Sequence, residues 1–214
     1  MLAIFDVDGT LVDSRAAIHA TMEKAFAAVD REAPAPRIVG LFVGLSLPRM
    51  MEALIPDGGE AVWDKAVAEY RLAYPATLEA MGAAPLYPGV AEALDRLEAA
   101  GVTLGIATGK SKRGVDRMMV ETGWEGRFAT VQCADFHPSK PHPSMLRRAL
   151  LETATEAEDA VMVGDTSFDM DMARAAGMRG LGVDWGYHTA EVLTGAGAER
   201  VFASMEALAE AILS

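Results

Sequence analysis

The chain has little cysteine, few aromatic side chains and a shortage of positive charge. Its one cysteine, Cys133, excludes an intramolecular disulfide and any cysteine-rich zinc site. Lying at the end of the apolar stretch 128–133, it reads as a small buried hydrophobe. Nineteen Lys and Arg against thirty-one Asp and Glu leave a formal net charge of −12, which opposes non-specific attraction to nucleic acid phosphates or anionic lipid. No apolar run approaches the roughly 18 residues that cross a bilayer. The apolar N-terminus also meets Asp6 too soon for a signal peptide. These absences predict a cytosolic protein that binds neither nucleic acid nor membrane, and they leave its oligomeric state open. An anionic small substrate is still compatible, because a bound cation and a few focused basic side chains invert the local field.

What is present is an ordinary globular chain of 214 residues, 51% hydrophobic and 23% charged, enough for one large domain or a domain with an insert. Short apolar runs bounded by Gly or Asp occur at Leu2 to Phe5, Val102 to Ala107, Val131 to Ala134, Ala160 to Val163, Gly180 to Val183 and, weakly, Arg200 to Ala203. Amphipathic stretches separate them. Pro88 to Ala100 shows the unit: Pro88 suits a first helical turn, Val90, Leu94 and Leu97 share a face, and Gly101 suits a left-handed stop. The alternation predicts an α/β fold, a Rossmann-like parallel sheet with helices on both faces.

Between Ser14 and Gly82 the strand pattern stops. The segment reads as helical throughout: Ala16 to Val29, a short piece after the breaker Ala33-Pro34-Ala35-Pro36, Pro48 to Leu54 with Ser46 as cap, and Glu60 to about Met81. An all-helical insert at 14–82 inside an α/β core of 1–13 and 83–214 is the expected organisation.

The chemistry-bearing residues fall at predicted strand ends, where open parallel sheets place their ligand crevice. The first strand runs into Asp6-Val7-Asp8-Gly9-Thr10, and Gly9 lets the chain curl so that both carboxylates approach one point. Such crowding suits a hard divalent cation such as Mg2+, although an isolated Asp-Gly more often marks a surface turn. Asp165 ends another strand and Asp169 follows by one helical step, either facing the same crevice or capping a helix. Asp171 is rotated away and reads as solvated. The stretch Gly105-Ile106-Ala107-Thr108-Gly109-Lys110-Ser111 resembles a phosphate-binding P-loop but has Leu104 where the first glycine belongs. Thr108 and the backbone from Gly109 onward, at a helix start, still suit a phosphate oxygen. Lys140, flanked by Pro138 and Pro141, is held as a counter-charge, while His137 and His142 make weak metal candidates.

Asp6 to Thr10, Thr108, Lys140-Pro141, and Gly164-Asp165 with Asp169 occur in the order found in the haloacid dehalogenase superfamily. The chain resembles its helical-cap phosphatase branch, similar to phosphoglycolate phosphatases, across nearly its whole length. The resemblance implies a Mg2+-dependent hydrolase of a small phosphorylated metabolite. It assigns Asp6 as nucleophile and Asp8 as acid and base. Asp6, Asp165 and the backbone carbonyl of Asp8 would be metal ligands, with Asp169 and Gly109 supporting and Thr108 and Lys140 binding the phosphoryl oxygens. Dehalogenases are implied to lack the acid at Asp8. A phosphosugar mutase is the alternative within the family, disfavoured because the turn Val43 to Leu47 carries no basic pair and Ile18 stands where the mutase has its histidine. A phospho-accepting signalling module would lack the helical insert. In the insert, Arg49 and Arg71 are candidates for a substrate carboxylate, whereas Met50, Met51, Trp63, Tyr70, Tyr74 and also His188 read as packing.

Overall fold

The computed structural model describes residues 1–214. Six strands, β1 (Leu2–Phe5), β2 (Thr103–Thr108), β3 (Thr130–Cys133), β4 (Ala160–Gly164), β5 (Arg179–Val183) and β6 (Arg200–Phe202), form one sheet in the order β3-β2-β1-β4-β5-β6. Every neighbouring pair is parallel. The strands are nearly continuous apolar runs because helices cover both faces, so alternation gives way to burial on both sides. The helices are α5 (Val90–Ala99), α6 (Lys112–Thr122), α7 (Ser144–Thr153), α8 (Ser167–Ala176), α9 (Ala190–Ala196) and α10 (Met205–Leu213). One core packs Phe5, Ile106 and Val163 against Leu94, Leu97 and Leu208, and the opposite one packs Ile4 and Met162 against Leu146 and Met172. Cys133 is fully buried in the first of these, as expected.

The chain builds outward from β1 through β2 to β3, then returns to place β4 on the other side of β1. The carboxyl ends of β1 and β4 therefore lie side by side where the direction of winding reverses, with Phe5 in register with Val163. That reversal puts the residue after β1 beside the residue after β4.

The insert consists of α1 (Arg15–Ala27), α2 (Pro36–Gly40), α3 (Leu47–Leu54) and α4 (Glu60–Met81). Ile18, Met22, Phe26, Met51 and Ile55 give it an apolar cluster of its own, and Lys24 Nζ donates to Thr77 Oγ1 at 2.8 Å between α1 and α4. Helix α4 runs through Pro75 unbroken. No helix is long and apolar enough to cross a membrane.

Two local expectations are corrected. Helix α5 starts after Gly89, which takes φ +78°, so Pro88 lies outside the helix rather than in its first turn. Ser46 does precede α3, but its side chain makes no cap bond. Its N–H instead accepts no intrahelical role and donates to Ser139 Oγ at 2.8 Å, tying the insert to the loop that carries Lys140.

Insert and core backbones come close together at Gly109, just beyond β2. A β-carbon there would stand 2.6 Å from the carbonyl oxygens of both Gly44 and Leu45. Gly109→Ala is therefore expected to cost about 1–3 kcal/mol by overpacking, read as a lower urea midpoint. An unchanged midpoint would mean that the Gly44–Leu45 loop yields freely.

Candidate active site

Segments distant in sequence meet at the carboxyl edge of the sheet. Asp6 directly follows β1, Asp165 directly follows β4, Thr108 ends β2, Asp169 sits in the first turn of α8, and Lys140 comes from the loop between β3 and α7. The carboxylates of Asp6, Asp165 and Asp169 offer oxygens that all lie within 4.8 Å of one another, and all three side chains are buried. Lys140 is buried with them, its Nζ 2.9 Å from Asp6 Oδ1 and 2.6 Å from Asp169 Oδ1.

Each neighbour of this cluster is fixed by a local rule. Gly9 takes φ +89°, and a β-carbon there would overlap the Asp165 carboxylate, so only glycine lets the turn after β1 pass so close. That turn sets Thr10 Oγ1 to donate to Asp165 Oδ1 at 2.9 Å, while the Tyr187 N–H donates to Oδ2 at 2.7 Å. Asp169 performs both functions weighed for it. Its Oδ2 accepts from Thr166 N and Oγ1 as part of a capping box on α8, leaving Oδ1 for Lys140. No role is read from the sequence for the side chains of Thr10 and Thr166 or for the Tyr187 N–H. Only Thr166 carries a signal there, the Thr-x-x-Asp pattern that opens a helix.

Electrostatically the cluster is unbalanced: three acids face one ammonium out of water. Burial, opposed by Lys140 and reinforced by Asp169, pushes the Asp6 pKa up to about 7. Burial and the neighbouring Asp169 and Asp6 hold Asp165 well above the usual carboxylate range. Burial works against the charge on Lys140, but Asp169 and Asp6 outweigh it and raise its pKa above the ordinary lysine value. Neither oxygen of Asp6 receives an aligned hydrogen bond despite complete burial. Orphaned carboxylate oxygens inside an all-oxygen donor set are what a hard divalent cation would satisfy, so the residues present fit one.

Asp8 stands apart from the three acids. Lys110 Nζ donates to both its oxygens, at 2.7 and 2.8 Å, and reaches Tyr74 Oη of α4 at 3.3 Å. The expectation that Asp6 and Asp8 would turn their side chains to one point is thus replaced by a split: Asp6 joins the acid cluster and Asp8 joins an ion pair. The sequence reading treats Lys110 only as a P-loop lysine, and nothing local in the sequence marks it as a partner of Asp8. Thr108 Oγ1 accepts from Lys110 N at 3.2 Å.

A cavity of about 620 Å3 opens over Asp6, Asp8, Thr108 and Gly109, roofed by the insert through Ile18, Val43 and Met50. Tyr70 and Tyr74, expected as packing, line it with their rings stacked 5.6 Å apart. Arg71 lines it as well, whereas Arg49 is turned to Glu52 at 2.6 Å. His188 has the packing role expected, its Nδ1 accepting from Ser167 N at 3.0 Å. Asp171 is paired with Arg174 at the surface rather than free in solvent.

A family profile described as haloacid dehalogenase-like hydrolase matches residues 3–183. The chain is 34% identical over 199 residues to a protein named probable phosphatase IndB from Dickeya dadantii, covering 91% of this chain and 86% of that one. It is 30% identical over 196 residues to a phosphoglycolate phosphatase from Agrobacterium fabrum, with 87% and 81% covered. A protein named tyrosine-protein kinase PtkA from Mycobacterium tuberculosis is 34% identical over 194 residues, 90% of this chain but only 65% of that longer protein. With its strand order, helical insert and clustered acids, the chain belongs to the haloacid dehalogenase-like hydrolases, as a phosphatase of that superfamily similar to phosphoglycolate phosphatases.

Proposed function

We propose that the protein hydrolyses small phosphate monoesters with Mg2+ through a phosphorylated Asp6, with residues 14–82 acting as a cap over the site. The observation that carries this reading is the orphaned carboxylate of Asp6, buried between two further acids and Lys140 at the floor of the cavity. Asp6, Asp165 and the Asp8 carbonyl would hold the ion, with Asp169 beside them. Bound there, Mg2+ would neutralise charge on the phosphoryl oxygens and the acids.

The chain's own groups account for the remaining chemistry. An Asp6 oxygen attacks phosphorus, the ester P–O bond breaks, and the leaving oxygen takes a proton from Asp8. Asp8 then takes a proton from water as that water attacks phosphorus and breaks the bond to Asp6, releasing inorganic phosphate. Thr108, the Gly109 N–H and Lys140 hold the phosphoryl oxygens throughout. Asp8 can give a proton only after leaving its two-oxygen pairing with Lys110, so substrate entry has to rearrange that contact.

Asp6→Asn is expected to abolish release of phosphate from p-nitrophenyl phosphate, as is EDTA with the unaltered protein; turnover persisting in either case overturns the reading. Asp8→Ala should lower kcat for alkyl phosphates by roughly 10²- to 10⁴-fold. Its effect on kcat/KM, which reports the step that expels the leaving group, should be smaller for p-nitrophenyl phosphate, whose leaving group needs no proton, and equal losses of kcat/KM on both would remove Asp8 from the acid role. For pH, the raised pKa of Asp6, about 7 against an unfolded 3.8, means that the metal-free fold loses stability as pH rises through this window. A cation that needs the ionised acids should therefore raise Tm more at about pH 8 than at about pH 5.5 in thermal melts with and without Mg2+. Equal shifts at both pH values would separate Asp6 from the metal.

A further inference from the structure

Helices α4 and α6 both line the cavity and are joined where the Arg117 guanidinium donates to the Pro75 carbonyl at 3.4 Å. Arg117 is also paired with Glu121 at 2.6 Å, so its charge is already answered within α6. One helical turn before each of these anchors stands another arginine, Arg71 on α4 and Arg113 on α6, and both line the same cavity. Neither makes an ion pair or a side-chain hydrogen bond. Arg37, Lys65 and Arg200 also lack such a partner, but unlike them Arg71 and Arg113 line the cavity over Asp6.

We propose that Arg71 and Arg113 form a second anion site, so that the phosphate monoester hydrolysed here carries a further negatively charged group on a body larger than a two-carbon acid. The inference rests on the phosphatase reading and deepens it. Neither guanidinium has a partner of its own, and an anion in the cavity within reach of both would gain two charge-assisted hydrogen bonds. Because one arginine belongs to the insert and the other to the core, such an anion would also draw the two together. A cavity of about 620 Å3 is in the range that encloses a ligand well beyond phosphoglycolate in size. The stacked Tyr70 and Tyr74 rings offer a flat wall for the body between its two charges.

Three substrates on one scaffold test this: phenyl phosphate, 4-carboxyphenyl phosphate and benzene-1,4-diyl bisphosphate, assayed with Mg2+. The doubly substituted compounds are expected to show a KM at least roughly tenfold below that of phenyl phosphate, and their ranking tells carboxylate from phosphate as the distal group. Arg71→Gln and Arg113→Gln should each erase most of that advantage, raising the KM of the doubly charged substrates severalfold more than that of phenyl phosphate. Equal KM values for all three substrates in the unaltered protein would overturn the anion site while leaving the phosphatase reading intact, as would a loss in the variants that falls alike on all three. Absence of phenyl phosphate turnover by the unaltered protein would overturn the phosphatase reading, and the anion site with it.

Discussion

The structure depends on a surplus of buried acids over buried bases. Asp6, Asp165 and Asp169 cluster with one ammonium, Lys140, and all four side chains are buried. Stripping a carboxylate of water costs several kcal/mol even after relaxation, and a single cation cannot answer three. The fold tolerates the excess because two of the acids are held by neutral donors: Thr10 and Tyr187 bind Asp165, and Thr166 binds Asp169. Asp6 alone has no such support, and it is the one placed at the end of the central strand. The imbalance is thus concentrated on a single side chain, which fits Asp6 to the roles of cation ligand and nucleophile proposed for it.

Most of this arrangement could be read from sequence because it follows from chain direction. A parallel sheet sends every strand's carboxyl end to the same edge, so acids that terminate apolar runs, such as Asp6 and Asp165, are brought to one side whatever their separation in the chain. Lys140 was legible through its prolines and its place in the family's order. What escaped were contacts set by side-chain rotation. Asp8 and Lys110 are 102 residues apart and pair only because β1 and β2 are neighbours; the peptide around each looks like an ordinary turn. In the insert, Arg49 and Arg71 have equal claims by composition, and only the packing shows that one is held by Glu52 while the other lines the cavity. Helix starts at Ser46 and Pro88 were misplaced by a residue or a role, since caps answer to local geometry as much as to residue type.

The contacts between the insert and the core include Ser46 to Ser139, Arg117 to the Pro75 carbonyl, Lys110 to Tyr74, Arg15 to the Trp185 and Gly186 carbonyls and His188 to the Leu41 carbonyl, beside the close approach of Gly109 to Gly44 and Leu45. The insert carries its own apolar cluster, against which Tyr187 of the core also packs.

Asp169 shows how tightly folding and chemistry can be fused. One oxygen closes the first turn of α8 and the other steadies Lys140, so the two tasks cannot be separated by choosing a different residue. An amide would preserve one polar face and lose the negative charge that answers Lys140. Any attempt to retune this catalyst by altering the surroundings of its lysine would disturb the neighbouring scaffold as well, and redesign has a freer hand in the roof of the cavity than on its floor.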